Sequence, residues 1–109
     1  MLGKYIVRPG GVVEPSHDLM AWAVWFESRS ETPFESGGRR VARTDLPDGG
    51  FVSTVFLGMD HGFGGSPLLF ETMILDRGDE RQWRYGTIEE ARTGHAHAVR
   101  VACGEVEDS

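Results

Sequence analysis

The chain has 109 residues, of which 39% are hydrophobic and 26% charged, and its formal net charge is −6. This length supports one domain with one core, and the composition and the absence of a long apolar run exclude general disorder and a membrane-spanning helix. The sequence has no basic stripe, which excludes duplex DNA or RNA as a partner, whereas a small anion needs only one or two arginines.

Cys103 is the single cysteine, so we expect neither an internal disulfide nor a multi-cysteine zinc site. The first eight residues lack the charged-then-apolar pattern of a secretion signal, and a reducing cytoplasmic location is therefore expected. The four histidines have no spacing typical of zinc ligands. We accordingly expect no metal and no cofactor.

The N-terminal third is predicted to contain a strand over 4–7, a short return strand over 12–14 and a helix. Ser16 is a suitable N-cap for this helix. Its core face follows helical periodicity and consists of Leu19, Trp22, Ala23 and Phe26. The opposite face is also apolar and contains Ala21, Val24 and Trp25. These three residues predict either an oligomer interface or a helix covered by the segment 32–34.

Four strands are predicted next, over 40–44, 51–58, 68–75 and 81–85, and the two middle ones are apolar enough to be central. Thr87 and Glu90 form a capping box that opens a second amphipathic helix, where His95 is expected to be a hydrogen-bonded core residue. The predicted fold is α+β: an antiparallel sheet of about four to five strands with two amphipathic helices packed on one face. Residues 1–103 would form the domain and 104–109 a disordered acidic tail.

The connection between the two central strands is unusually long. It takes ten residues, 58–67, of which four are glycine, whereas a hairpin needs about two to five. Glycines let backbone amides approach a ligand. We expect a ligand loop in which Asp60 and His61 make polar contacts, Phe63 stacks, and Gly64 and Gly65 allow close approach. The alternative is a flexible hairpin end with an incidental histidine.

Glu71 lies in the middle of an apolar strand. A carboxylate there is paired, neutralised or directed into a cleft, and an ion pair with Arg43 or Arg84 is the favoured interpretation. A site carboxylate is the alternative. The full predicted ligand-binding set is Asp60, His61, Phe63, Gly64, Gly65, Arg40, Arg43, Glu71, Arg84 and Tyr85, with Trp83 as a further stacking surface.

Several strings of the chain resemble one known family. Residues 51–58, 60–61, 64–65 and 67–73, followed by 83–85 with Thr87, Glu90, Ala91, Gly94 and His95, are similar to small uncharacterised proteins of tailed phages and prophages. The resemblance implies a phage accessory protein that acts in the cytoplasm of an infected bacterium. Some phage proteins of this size sequester nucleotide immune signals and are oligomeric, an analogy of size and origin rather than of motif.

The leading functional hypothesis is a non-enzymatic binding protein that captures a small anionic ligand, with a nucleotide immune signal as the expected example. It would work as a homo-oligomer. One alternative is a small hydrolase or lyase that uses His61 with Asp60 or Glu71 as acid and base. Another is a protein inhibitor that covers a host factor with the Trp25 face. No nucleophile stands in a recognisable catalytic context, so no catalytic residue is assigned.

Overall fold

The computed structural model describes residues 3–62, 64–76 and 79–107. It confirms the α+β class. Six strands and two helices follow in chain order: β1 (Tyr5–Arg8), β2 (Val12–Pro15), α1 (Leu19–Ser28), β3 (Arg40–Asp45), β4 (Phe51–Phe56), β5 (Phe70–Asp76), β6 (Asp79–Tyr85) and α2 (Ile88–Ala102). Within these ranges the strands form two sheets rather than one, because β1 pairs only with β2 while β3-β4-β5-β6 is an antiparallel meander.

The two central strands show why α2 packs where it does. Alternate residues of each strand point to the helix side and are buried, as the two-residue period of a strand requires: Val52, Thr54, Phe56, Phe70, Thr72 and Ile74. The buried face of α2 that covers them consists of Ala91, His95, Ala98 and Val101. The opposite face of the sheet is left without a covering helix, as is common in antiparallel sheets.

The start of α2 is as the sequence predicts. Thr87 Oγ1 accepts from the Glu90 amide at 3.1 Å, and Glu90 Oε1 accepts from the Thr87 amide at 3.2 Å. Within the helix, a Cβ added to Gly94 would lie 2.2 Å from Cζ of Tyr85. Glycine at this position therefore lets α2 approach β6 closely.

The start of α1 differs from the prediction. The N-cap is Asp18 rather than Ser16, and Asp18 Oδ1 accepts from the Ala21 amide at 3.0 Å. Pro15 is still the last residue of β2, and the Ser16 amide donates to Lys4 O at 2.8 Å. Ser16 therefore belongs to the hairpin, and the next residue with a suitable carboxylate caps the helix.

The two faces of α1 are not occupied as predicted. Leu19, expected in the core, is 61% exposed. Trp25, on the face offered as an oligomer interface, packs against the buried cluster of Phe34 and Phe56, and its indole donates to Gly37 O at 3.1 Å. The chain itself covers Trp25, which supports the fold-back interpretation. Val24, on the same face, is 66% exposed, and its part in an interface stays a prediction.

The core consists of two buried clusters. One surrounds Phe56 and Phe70, and the other surrounds Val52 and Ile74. Val106 packs against the second cluster, beyond the predicted domain boundary at residue 103. None of the helices in the described ranges has the length and apolar character needed to cross a bilayer.

Candidate functional site

The first half of the long connection is tied to the N-terminal hairpin. The Tyr5 amide donates to Gly58 O at 2.8 Å, and the Asp60 amide donates to Gly3 O at 2.9 Å. Gly58 has a φ of +77°, and a Cβ there would lie 3.2 Å from the Phe26 ring. Much of the extra length therefore joins the two sheets, a purpose that sequence reasoning missed.

Asp60 closes the second half of the connection. Its Oδ1 accepts from the amides of Gly62 at 2.7 Å and Leu68 at 3.0 Å. The His61 amide donates to Leu68 O at 3.1 Å. Through this oxygen, the Asp60 carboxylate therefore stabilises the conformation of the connection.

The tip of the connection faces solvent. Gly64 and Gly65 are exposed, and a Cβ added to either would have no other atom within 4 Å. Gly64 has a φ of +84°, a conformation that favours glycine. Phe63, predicted to stack on a ligand, lies outside the described residues.

The predicted arginines fall at opposite edges of the sheet. Arg40 and Arg43 lie on β3, where Arg43 Nε is 3.2 Å from Asp45 and its guanidinium lies over the Phe51 ring at 4.0 Å. Arg84 lies on β6, two strands further across. The structure therefore does not gather the three arginines around one ligand position.

Glu71 makes the ion pair that the sequence favours. Its Oε2 accepts from Arg84 Nε at 3.0 Å, across the β5–β6 ladder where the two residues are direct partners. The Glu71 side chain is only 12% exposed, so its carboxylate has little contact with water. The Arg84 guanidinium balances its negative charge.

The cavities beside these residues form a groove between the edge of the sheet and α2. One, of about 540 Å³, is bordered by the end of the long connection, by Arg84 and by the first residues of α2. The next, of about 580 Å³, is bordered by Trp83, Gly94 and His97. Both are lined by Tyr85 and Glu90, so they adjoin one another. We call this surface the β6–α2 groove; it comprises residues 66–69, 83–87, 89, 90, 93, 94 and 97.

Two aromatic rings give the groove its apolar character. Trp83 and Tyr85 are two residues apart on β6, so both side chains lie on the face toward α2. The Trp83 ring packs edge-on against His97, with 6.5 Å between the ring centroids. Burial raises the pKa of Tyr85, although a hydrogen bond with Thr72 offsets part of this effect. Tyr85 therefore stays a neutral phenol at physiological pH.

The two glutamates that line the groove differ in how accessible their carboxylates are to a ligand. Glu90 Oε1 accepts from the amides of Gly86 and Thr87 and from the Thr87 hydroxyl, so this carboxylate neutralises the start of the helix. Glu89 is exposed on the rim. The sequence does not single out Glu89, Thr93 and His97 as site residues, because their only signal is a four-residue spacing that places them on the same side of α2 as Gly94.

His95 lies outside the groove and is the core residue that the sequence predicts. Its Nδ1 lies 2.8 Å from Thr54 Oγ1 and its Nε2 lies 2.9 Å from Thr44 Oγ1, while Thr54 bonds Thr72 at 2.6 Å. Desolvation in this buried position lowers the pKa of His95. The ring is therefore neutral at pH 7 and serves packing rather than proton transfer.

The structure does not assemble the acid–base pair of the hydrolase hypothesis in the ranges it describes. There, the His61 side chain has no hydrogen bond to Asp60 or Glu71, and the latter two are engaged as described above. Across the same ranges, no group of three His, Cys, Asp or Glu residues is placed to hold a metal ion.

Comparison with known proteins leaves the resemblance to phage proteins a prediction. No protein-family model, no curated protein and no solved structure matches the chain.

Proposed function

We propose that the protein is a non-enzymatic binding protein that takes a small ligand with a flat ring and a negative charge in the β6–α2 groove. Nucleotides combine these two features. The observation that carries the proposal is that Trp83 and Tyr85 lie together in an apolar groove, and that the adjoining cavity reaches the end of β6, where Arg84 has its side chain on the other face of the sheet.

The aromatic pair supplies the affinity for the ring. Stacking of a nucleic-acid base on an aromatic side chain contributes about 1–3 kcal/mol, and it tolerates any base because each has a π face. The groove is shallow and open, so the ring of the ligand would lie along β6 with one face against protein. Glu89 on the rim is placed to accept from amino groups of a base.

The charge of the groove limits the kind of nucleotide. Arg84 borders the end of the groove, but its side chain lies on the opposite face of the sheet and is paired with Glu71, whereas Glu89 and Glu90 line the groove itself. Unpaired phosphates of a triphosphate would be repelled. We therefore propose a ligand with one phosphate charge per groove, which includes mononucleotides and cyclic nucleotides.

The biological setting follows only from the resemblance. If the protein is a phage accessory protein, the bound nucleotide would be a bacterial immune signal that the protein sequesters without cleaving it. The hydrolase and host-inhibitor alternatives have no specific observation in their favour, because the His61 pair is not assembled and Trp25 is covered by its own chain.

Ligand binding is tested by thermal unfolding of the protein with a panel of nucleosides, mononucleotides, cyclic nucleotides and triphosphates. We expect a mononucleotide or a cyclic nucleotide to raise the melting temperature, because a ligand at about 100 times its Kd stabilises the native state by about 2.7 kcal/mol. Triphosphates and uncharged nucleosides should stabilise less.

The matched variants are Arg84→Gln and Arg43→Gln, which both remove an exposed, ion-paired arginine from an edge strand. The phosphate of the ligand would meet Arg84 by passing the end of β6, so Arg84→Gln should weaken binding about tenfold, and Arg43→Gln should not. The proposal fails if no member of the panel stabilises the protein at millimolar concentration. It also fails if both variants weaken binding equally.

A further inference from the structure

The two edges of the four-stranded sheet differ. The outer edge of β3 is partly occupied, since the Arg40 amide donates to Thr32 O at 3.0 Å and Arg40 O accepts from the Phe34 amide at 2.8 Å. β6 is the terminal strand at the other side, and in the described residues it pairs only with β5. An edge of seven residues is a template for pairing with another strand.

The side chains of β6 are complementary to a second copy of the same strand. In an antiparallel pair centred on Gln82, Glu80 of each copy stands opposite Arg84 of the other. Glu80, Gln82 and Arg84 are all exposed and share the sheet face that α2 leaves uncovered, because their β5 partners alternate in the same way. Opposite charges directly across an antiparallel ladder stabilise it, whereas like charges destabilise it.

We propose that β6 pairs with β6 of a second copy about a two-fold axis at Gln82. Two four-stranded sheets would become one continuous sheet of eight strands, with both α2 helices on the same face. Arg84 can serve both partners, since its Nε donates to Glu71 and a guanidinium carries four further N–H donors. The side chains that meet on the uncovered face, Glu80, Gln82 and Arg84, are already exposed, so their pairing needs no rearrangement of the core.

The pairing has a consequence for the β6–α2 groove. α2 packs mainly on β4 and β5, so the two helix axes would be about four interstrand spacings apart, roughly 19 Å. Packed helices are about 8–10 Å apart, so a cleft would remain between them. Its floor would contain Trp83 and Tyr85 of both copies. The dimer is argued from β6 alone and does not depend on the proposed ligand.

Cysteine crosslinking tests the pairing and its register. In a Cys103→Ser background, which removes the exposed native thiol, Gln82→Cys should form a disulfide-linked dimer on mild oxidation. Directly opposed residues of antiparallel strands have Cα atoms about 4.5–5.5 Å apart, within the range of a disulfide. Ala96→Cys in the same background is the control, because Ala96 is exposed on α2 and lies outside β6. Light scattering should give twice the 12.1 kDa chain mass for the native protein.

Charge exchange tests the complementarity. Glu80→Arg places two arginines opposite one another and should weaken the dimer about tenfold or more. The double variant Glu71→Arg with Arg84→Glu keeps the pair within the chain but opposes Glu80 with a glutamate, and should weaken it equally. An equimolar mixture of the two variants restores both contacts and should dimerise.

Three results would overturn the dimer proposal. The native protein could be monomeric at every concentration, in which case the charges of β6 protect the edge from pairing. Crosslinking could proceed as fast at residue 96 as at residue 82. The mixture of charge variants could fail to dimerise although each variant is folded. None of these results bears on whether a ligand binds the groove, which the thermal-shift panel measures separately.

Discussion

At the scale of single residues, the buried histidine is held by hydrogen bonds at both sides of its ring. Both ring nitrogens of His95 have hydroxyl partners, Thr54 and Thr44, and the ring is buried under α2. One of these two hydroxyls can donate to the unprotonated ring nitrogen while the other accepts from the ring N–H, so the hydrogen-bonding capacity of the neutral ring is fully used. Protonation would place a cation among partners with no negative charge.

The stability of the native state should therefore fall in mild acid. The pKa of His95 in the native state is lowered from the ordinary value of 6.5, so between these two values the unfolded chain binds more protons than the native one. The contribution of His95 is complete above pH 6.5 and declines as the pH falls below it. Urea unfolding at about pH 8 and about pH 5 should show a larger loss in the native protein than in His95→Gln. Equal losses would contradict the account.

At the scale of secondary-structure elements, the helix starts show what local sequence determines. The capping box of α2 was predicted because Thr87 and Glu90 satisfy each other within four residues. Ser16 and Asp18 are both suitable caps for α1, and the choice depends on where the hairpin ends. The bond from the Ser16 amide to Lys4 O decides it, and this contact cannot be read from neighbouring residues.

Substitutions at the two candidate caps should separate them. Asp18→Ala removes the acceptor for the Ala21 amide and should lower the free energy of unfolding by about 1 kcal/mol. Ser16→Ala should change it little, because its hydroxyl makes only a 3.5 Å contact with Asp18 O. Chemical denaturation of both variants measures the difference. A larger loss for Ser16→Ala would mean that the helix begins earlier.

At the scale of the whole molecule, the hairpin and the main sheet are held together around Gly58. The Trp22 indole donates to both Tyr5 O at 3.1 Å and Gly58 O at 3.0 Å, and thus joins α1, β1 and the end of β4. Alternation predicted the four-stranded sheet and its buried face. The hydrogen bonds of the long connection to Gly3 and Tyr5 span more than fifty residues, so they cannot be read from the local sequence. Without them, the length and glycine content of the connection predict a ligand loop. Of the groove residues, the sequence predicts Trp83, Arg84 and Tyr85 as ligand contacts.

Removing the indole donor should loosen the hairpin without unfolding the sheet. In Trp22→Phe, two carbonyl groups lose a shared donor at a cost of about 1–3 kcal/mol. Hydrogen exchange should become faster at the Tyr5 amide, which donates to Gly58 O, while the β4–β5 amides keep their protection. Trp25→Phe is the control, because its indole bonds only Gly37 O. Uniform acceleration across both sheets would show that the molecule opens as one unit.

The hydrogen bond between the Thr54 and Thr72 hydroxyls also favours the correct register of β4 and β5 during folding. A shift of one residue in the register of β4 and β5 would turn one of the two hydroxyls toward the uncovered face. The other hydroxyl would be left among apolar side chains without its partner. Nδ1 of His95 would then lack its Thr54 partner when α2 docks, so misaligned chains would carry unsatisfied polar groups into the interior. An aliphatic pair of the same shape would pack as well, but it would lose this means of rejecting the wrong alignment.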